Sequence, residues 1–232
     1  MAGAVLWSMC FEIMDGTPDE NMHLTWTRVS HHYTKLQTPT QFSTLAVKSF
    51  CDAAKPRSGY PKLKGRGTEI KDLVHPLLLT FGELRRRRPA VGYRDDEHVE
   101  QILQEQLSMQ STIASTSGDN FLPTDDAAAV VQNVDNILAL WTALANSADR
   151  RSVLNWSVVP KCHLLWHFAH RCQWLRPRRG NTMIDEDYVG LLKHIVHSCA
   201  FGTDQNMVPT AVVDKVRWGE HFRAVYGNAY HH

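Results

Sequence analysis

Helix-start signals recur along this chain, and they constrain its fold more than any other feature. The segment TPDE at 17–20 places a threonine N-cap, a proline in the first turn and a glutamate three residues after the cap, which together form a capping box. The segment TPTQ at 38–41 repeats the device, and TDD at 124–126 precedes the longest clear run of apolar residues at helical spacing. No alternating run predicts a strand with comparable strength, and 153–159 is the best candidate. The sequence therefore predicts an all-α fold, an irregular bundle of about eight or nine helices.

The predicted helices cover most of the chain. Core-like helical sequence begins at residue 4, and Pro76 should kink or break the helix that contains it because proline lacks a backbone donor. The four arginines at 85–88, followed by a proline, suit the carbonyl-rich end of a helix. We expect a single helical domain over 1–232, with a candidate sub-boundary in the basic loop 55–67 between N-terminal helices (1–54) and a main helical region (68–232). The remaining helices are expected at about 17–36, 38–54, 68–84, 95–114, from 124, 160–175, 185–201 and from 209.

Composition indicates a globular intracellular protein. Hydrophobic residues make up 43% of the 232 positions and charged residues 21%, which argues against wholesale disorder. No uninterrupted apolar run approaches the roughly 18 residues that span a bilayer, so we expect no membrane partner. The five cysteines are odd in number and include no C-x-x-C pair, which favours reduced thiols in the nucleus or cytoplasm.

The near-neutral net charge of +1 conceals a strong pattern. Residues 55–94 hold eleven Lys or Arg and three acids, 95–149 hold ten acids and neither Lys nor Arg, and 150–179 hold seven Lys or Arg and no acid. Two basic blocks around an acidic one are compatible with polyanion binding, and equally with charges that pair inside the fold. The candidate contacts to nucleic-acid phosphates are Lys62, Lys64, Arg66, Arg176, Arg178 and Arg179.

Histidines at helical spacing are open to two interpretations, a solvated or polar-contact face of the helix and a metal site. His163 and His167 are four residues apart, so their imidazoles can reach one ion, although the glutamate of the H-E-x-x-H motif is missing. His170 and Trp174 fall in the same sector of the helix. The opposite side, which we expect to face the core, carries Leu164, Phe168, Cys172 and Leu175.

An acidic triplet follows the histidine helix. Asp185, Glu186 and Asp187 begin the predicted helix 185–201, where carboxylates stabilise the positive end of the helix dipole. They are also candidate metal-binding carboxylates. The two interpretations remain open at this point. We expect no cofactor, although Mg²⁺ or Zn²⁺ is the ion that such a site would hold.

The segment PKCHLLWH at 160–167, followed some twenty residues later by an acid-rich helix start, resembles the C-terminal part of eukaryotic cut-and-paste transposases. These are the CACTA-like and related superfamilies with an RNase H-like DDE core, and the resemblance covers about 62–200. It implies that Glu186 is the third catalytic, metal-binding carboxylate, with Asp185 or Asp187 as substitutes. The chain lacks an upstream sheet for the other two carboxylates, and RPRRG at 176–180 replaces the expected turn.

Three functions follow from these patterns. The first is a transposon-derived helical domain that binds the phosphate backbone of nucleic acid through blocks 55–94 and 150–179, without catalysis by the isolated chain. The second is a helical protein-interaction module whose charge blocks satisfy one another. The third is a metal-dependent hydrolase or nuclease built on His163, His167 and Glu186. Substrate and oligomeric state are not predicted.

Overall fold

The computed structural model describes residues 1–52, 54–56, 59–87, 94–115, 122–172 and 174. Within these ranges the chain is helical and contains no β-strand, which confirms the all-α class. Six α-helices lie in the described residues, whereas the helices predicted at 185–201 and from 209 lie outside them, so the count of eight or nine stays a prediction. All described residues belong to one compact unit, Met1–Arg179. The single domain predicted over 1–232 also stays a prediction.

Six α-helices and two short helical segments make up the described part of the chain. A π-helical segment, Met9–Ile13, directly continues the first helix, and a 3-10 turn, Val47–Ser49, lies between the second and third. The helices are α1 (Ala2–Ser8), α2 (Pro18–Leu36), α3 (Gly67–Arg86), α4 (Arg94–Ser115), α5 (Thr124–Arg150) and α6 (Pro160–Arg171).

The capping box predicted at the start of α2 is confirmed. The Thr17 backbone N–H donates to Glu20 Oε2 at 2.9 Å, and the Glu20 N–H donates to Thr17 Oγ1 at 3.4 Å. One turn further on, the buried Asn21 side-chain amide donates to the carbonyls of Cys10, Met14 and Gly16 at 2.9, 3.2 and 2.8 Å. Asn21 therefore anchors the turn that joins the π-helical segment to α2.

The helix predicted over 38–54 is wrong. Gln37 adopts a left-handed conformation that ends α2, and the Gln41 side chain donates back to the Thr38 carbonyl at 2.9 Å. Only the 3-10 turn forms in this segment, because the carbonyls of Ser49 and Phe50 accept hydrogen bonds from residues 64 and 62 instead of from a following helical turn. The apolar residues that suggested a helix are still buried: Leu45, Val47 and Phe50.

Pro76 does not break α3, which runs without interruption from Gly67 to Arg86. The helix begins earlier than predicted, with Arg66 rather than Thr68 at the N-cap position. The lost backbone donor costs one helical hydrogen bond. The apolar side of α3 offsets this cost, because Leu73, Leu77 and Phe81 are fully buried.

Two apolar clusters form the core. The larger joins α1, its π-helical continuation, α2, α3, the first half of α4 and the second half of α5. The smaller joins the ends of α4 and α6 to the first half of α5. Helix α5 packs along α4 and buries one side only, at Ala127, Val130, Val134, Ile137, Trp141, Leu144 and Ala148.

Among the described helices, α5 alone is long and apolar enough in composition to cross a membrane. Its one-sided burial and its packing against α4 and α6 are also those of a core helix. The absence of a membrane partner stays a prediction.

The connection before α6 contains no strand in 153–159. Val153 and Trp156 are buried in the larger cluster, and Trp141 Nε1 donates to the Ser157 carbonyl at 3.0 Å. Helix α6 begins at Pro160 as predicted, and its core side is confirmed in part. Cys172 is buried and Phe168 packs against the smaller cluster as expected, whereas Leu164 is 63% exposed and Leu165 and Ala169 contact the cluster in its place. Leu175, the fourth residue expected on this side, lies outside the described residues.

Candidate nucleic-acid interface and histidine pair

A basic extended segment, residues 60–66, connects the 3-10 turn region to α3. The cationic side chains of Lys62, Lys64 and Arg66 are all exposed, whereas Pro61, which precedes Lys62, is buried and Leu63 is half-buried. Because neighbouring side chains of an extended chain point to opposite sides, this alternation places the three cations on the solvent side. The segment is called the basic ladder below.

Backbone N–H groups of the basic ladder form hydrogen bonds at Lys62, Lys64 and Arg66. The Lys62 N–H donates to the Phe50 carbonyl at 2.6 Å, and the Lys64 N–H donates to the Ser49 carbonyl at 2.9 Å. At the last residue of the ladder, the Arg66 N–H donates to Glu69 Oε2 at 2.7 Å. These bonds give the three cations a defined spacing.

Two glycines allow the basic ladder to pack closely on the fold. A Cβ added to Gly3 of α1 would lie 2.8 Å from both the Leu63 nitrogen and the Pro61 oxygen. A Cβ on Gly65 would lie 2.4 Å from the ring of Phe42. The ladder is therefore seated directly against α1 and the Phe42 ring.

Lys48 and Lys161 are two exposed cations beside the ladder that sequence reasoning missed. Lys48 precedes Ser49, whose carbonyl accepts the Lys64 N–H, and the incorrect helix prediction over 38–54 hid this relationship. Lys161 lies at the start of α6, next to Cys162. Tyr60, the first ladder residue, and Cys162 both pack against the larger apolar cluster, and burial and the nearby Cys162 thiol raise the pKa of Tyr60.

Two other cations of the basic blocks, Arg85 and Arg151, form ion pairs within the chain. Arg85 forms ion pairs with Glu97, at 3.0 Å, and with Glu100 of α4. Arg151 forms ion pairs with Glu12 at 2.5 Å and with Asp95 at 3.2 Å. The predicted pairing between acidic and basic blocks therefore occurs at these two arginines.

The ladder cations differ from these arginines. Within the part of the chain that the structure describes, no ion pair involves the side chains of Lys62, Lys64 or Arg66. The described acid nearest along the chain, Glu69, is engaged by the Arg66 backbone at the N-terminus of α3. The ladder consequently keeps its positive charge available to solvent.

The histidines at 163 and 167 do come together. Their Nε2 atoms lie 2.9 Å apart, and their ring centroids are 4.3 Å apart with the planes at 82°. His163 is exposed and His167 is half-buried. Partial burial, together with the neighbouring His163, Arg171 and His170, lowers the pKa of His167.

His170 is not part of this pair. Its Nδ1 lies 3.0 Å from the Trp166 carbonyl oxygen, and its ring lies against the Trp166 ring with centroids 4.0 Å apart. Among the described residues, no group of three or more His, Cys, Asp or Glu side chains is placed to hold a metal ion. Any ion held by the pair would therefore have only these two ligands from the described chain.

The other predicted site residues lie outside the described residues. These are the acidic triplet of Asp185, Glu186 and Asp187, and the arginines Arg176, Arg178 and Arg179. Their roles stay predictions, as does the hydrolase that combines Glu186 with the histidine pair.

The chain matches no known protein family, no curated protein and no solved structure. The resemblance to transposases therefore stays a prediction.

Proposed function

We propose that this chain binds the phosphate backbone of nucleic acid, without reading base sequence, through the basic ladder of Lys62, Lys64 and Arg66. The observation that carries the proposal is the contrast between these exposed, unneutralised cations and the paired Arg85 and Arg151. The phosphates of a nucleic-acid strand form a regular row of negative charges. Lysine and arginine side chains spaced at similar intervals can contact such a row.

The spacing of the ladder suits such a row. Before the bend at Gly65 an extended chain rises about 3.3 Å per residue, so the alternate residues Lys62 and Lys64 lie about 6.6 Å apart. This interval is of the same order as that between successive phosphates of one strand. Because the Lys62 and Lys64 amides are already bonded to Phe50 and Ser49, little backbone entropy is lost on binding.

Lys48 and Lys161 extend the same surface. Each is exposed and lies beside one end of the ladder, Lys48 near Lys64 and Lys161 near Tyr60. The three ladder cations would make three phosphate contacts, and Lys48 and Lys161 would raise the number to five. On duplex DNA, three contacts correspond to a slope of about −3 in a plot of log affinity against log salt concentration.

The test is fluorescence anisotropy of a labelled duplex of arbitrary sequence, measured over a series of salt concentrations. We expect binding that weakens steeply with salt and is equal for two unrelated sequences. The variant Lys62→Gln/Lys64→Gln/Arg66→Gln should lose most of the affinity. A matched control, Lys35→Gln/Lys71→Gln/Arg150→Gln, removes three exposed cations elsewhere and should retain it.

Two results would contradict the proposal: no binding at low salt, or equal losses in the two triple variants. The first result would favour the alternative, a helical protein-interaction module without nucleic-acid binding. The intramolecular pairs of Arg85 with Glu97 and of Arg151 with Asp95 support that alternative, because they are the pairing it requires.

A further inference from the structure

We propose that His163 and His167 form a two-point chelate for a divalent transition-metal ion on the exposed side of α6. This site is separate from the basic ladder, and it does not depend on phosphate binding or on the acidic triplet. It rests on a distance that the sequence does not give, the distance between the two ring nitrogens.

That distance matches a right-angled coordination geometry. Metal–imidazole bonds of about 2.05 Å separate two nitrogens by about 2.9 Å when they meet at 90°, and by about 3.3 Å at the tetrahedral angle. The Nε2 atoms of His163 and His167 are 2.9 Å apart. Square-planar and tetragonal sites with nitrogen ligands are those of Cu²⁺ and Ni²⁺.

The side chains need little rearrangement to bind. Without metal, one imidazole donates its N–H to the bare nitrogen of the other. Since the χ2 torsion of histidine is broad, a ring rotation turns both lone pairs toward a common point outside the helix. Trp166 lies against His167, with ring centroids 5.1 Å apart, and limits how far that ring can move away.

The surroundings select the class of ion. Residues 150–179 contain no Asp or Glu, so neither residue type can contribute an oxygen ligand from the helix or its flanks. Mg²⁺ and Ca²⁺, which require oxygen ligands, are therefore disfavoured at the pair. The exposure of His163 leaves the other coordination positions to water, which makes the ion exchangeable.

The experiment uses the untagged chain titrated with CuCl₂, NiCl₂ and ZnCl₂ by calorimetry. We expect affinity in the order Cu²⁺ over Ni²⁺ over Zn²⁺, with one strong Cu²⁺ equivalent. His163→Ala and His167→Ala should each lower the affinity for that equivalent by about a hundredfold, because each converts a chelate into a single ligand. His170→Ala is the matched control on the same helix and should leave the affinity within a few-fold, since its ring is engaged with Trp166.

Electron paramagnetic resonance of the Cu²⁺-loaded native chain gives an answer that needs no variant. Nitrogen hyperfine structure from two imidazoles supports the chelate, whereas structure from one imidazole or none overturns it. Retention of the strong equivalent in His163→Ala/His167→Ala, in protein whose circular dichroism is unchanged, would also overturn it. That result would assign the metal to other histidines, including His231 and His232 near the C-terminal end of the sequence.

Discussion

Nη1 of Arg151 lies 2.5 Å from Oε1 of Glu12, an ion pair that joins residues 139 positions apart. It ties the π-helical end of the first helix to the turn after α5. The same guanidinium reaches Asp95 at the start of α4, whose Oδ2 also accepts a 2.6 Å hydrogen bond from Ser147 Oγ. Three segments distant in sequence therefore meet at Arg151.

Replacing Arg151 by alanine should destabilise the fold. The variant leaves Glu12, whose side chain is three-quarters buried, without its guanidinium partner. We expect a loss of about 1–2 kcal/mol, between the values for exposed and for buried ion pairs. Urea unfolding followed by circular dichroism measures it. Arg150→Ala is the control, because Arg150 is exposed and bonds only the Asn146 carbonyl of its own helix among the described residues; equal losses in the two variants would contradict the role given to Arg151.

Glu12 should make stability depend on pH. Burial raises the pKa of Glu12 above its ordinary value of 4.5, while Arg151 opposes the shift. The folded state thus holds this proton more tightly than the unfolded state, so the contribution is present at low pH and is lost as pH rises through the raised pKa. Relative to Glu12→Gln, which cannot ionise, the native chain should lose stability as pH rises from below 4.5 through the raised pKa. A difference that is constant or has the opposite slope in urea titrations would refute this assignment.

Gly3→Ala should disturb the seat of the basic ladder. The new methyl group would meet backbone atoms of Pro61 and Leu63 at 2.8 Å, and neither can move without shifting the segment. Overpacking of this kind costs about 1–3 kcal/mol. Gly59→Ala, where an added Cβ meets nothing within 4 Å, should be neutral or slightly stabilising. The urea unfolding midpoints of the two variants test this prediction. An unchanged midpoint for Gly3→Ala would show that the close contact is not maintained.

Buried thiols should resist alkylation in the folded protein. Burial raises the pKa of Cys10 to about 12 and that of Cys172 to about 11, so thiolate is scarce at pH 8. Iodoacetamide should leave both unmodified in the native chain and modify both in urea, as read by peptide mass spectrometry. Rapid native labelling of Cys10, which is 1% exposed, would mean that the α1 region opens readily.

Local capping chemistry predicted part of the fold, and non-local pairing limited the rest. The segments at 17–20 and 38–41 carry almost the same signal, yet only the first begins a helix. At the second, backbone bonds from Lys62 and Lys64 to the chain around Ser49 replace the helical ones. Partners so far along the chain cannot be read from a local pattern, and Lys48 was missed for the same reason.

Helical spacing predicted which histidines meet and part of the buried face of α6. Any four-residue spacing brings His163 and His167 to one side of a helix, and the structure confirms their proximity. Phe168 and Cys172 were expected on the core side and do contact the smaller cluster. Leu165 and Ala169 contact it in place of Leu164, so the buried face is rotated by less than the roughly 100° of one residue, because its exact centre depends on what packs against the helix.

The amide of Asn21 has a consequence for the ageing of this protein. Spontaneous deamidation would exchange its two N–H donors for a carboxylate, which would then confront the carbonyl oxygens of Cys10, Met14 and Gly16. Oxygen would face oxygen at every one of these contacts, without water to intervene at the buried one. Loss of this one amide would therefore weaken the attachment of the first helical segment to α2.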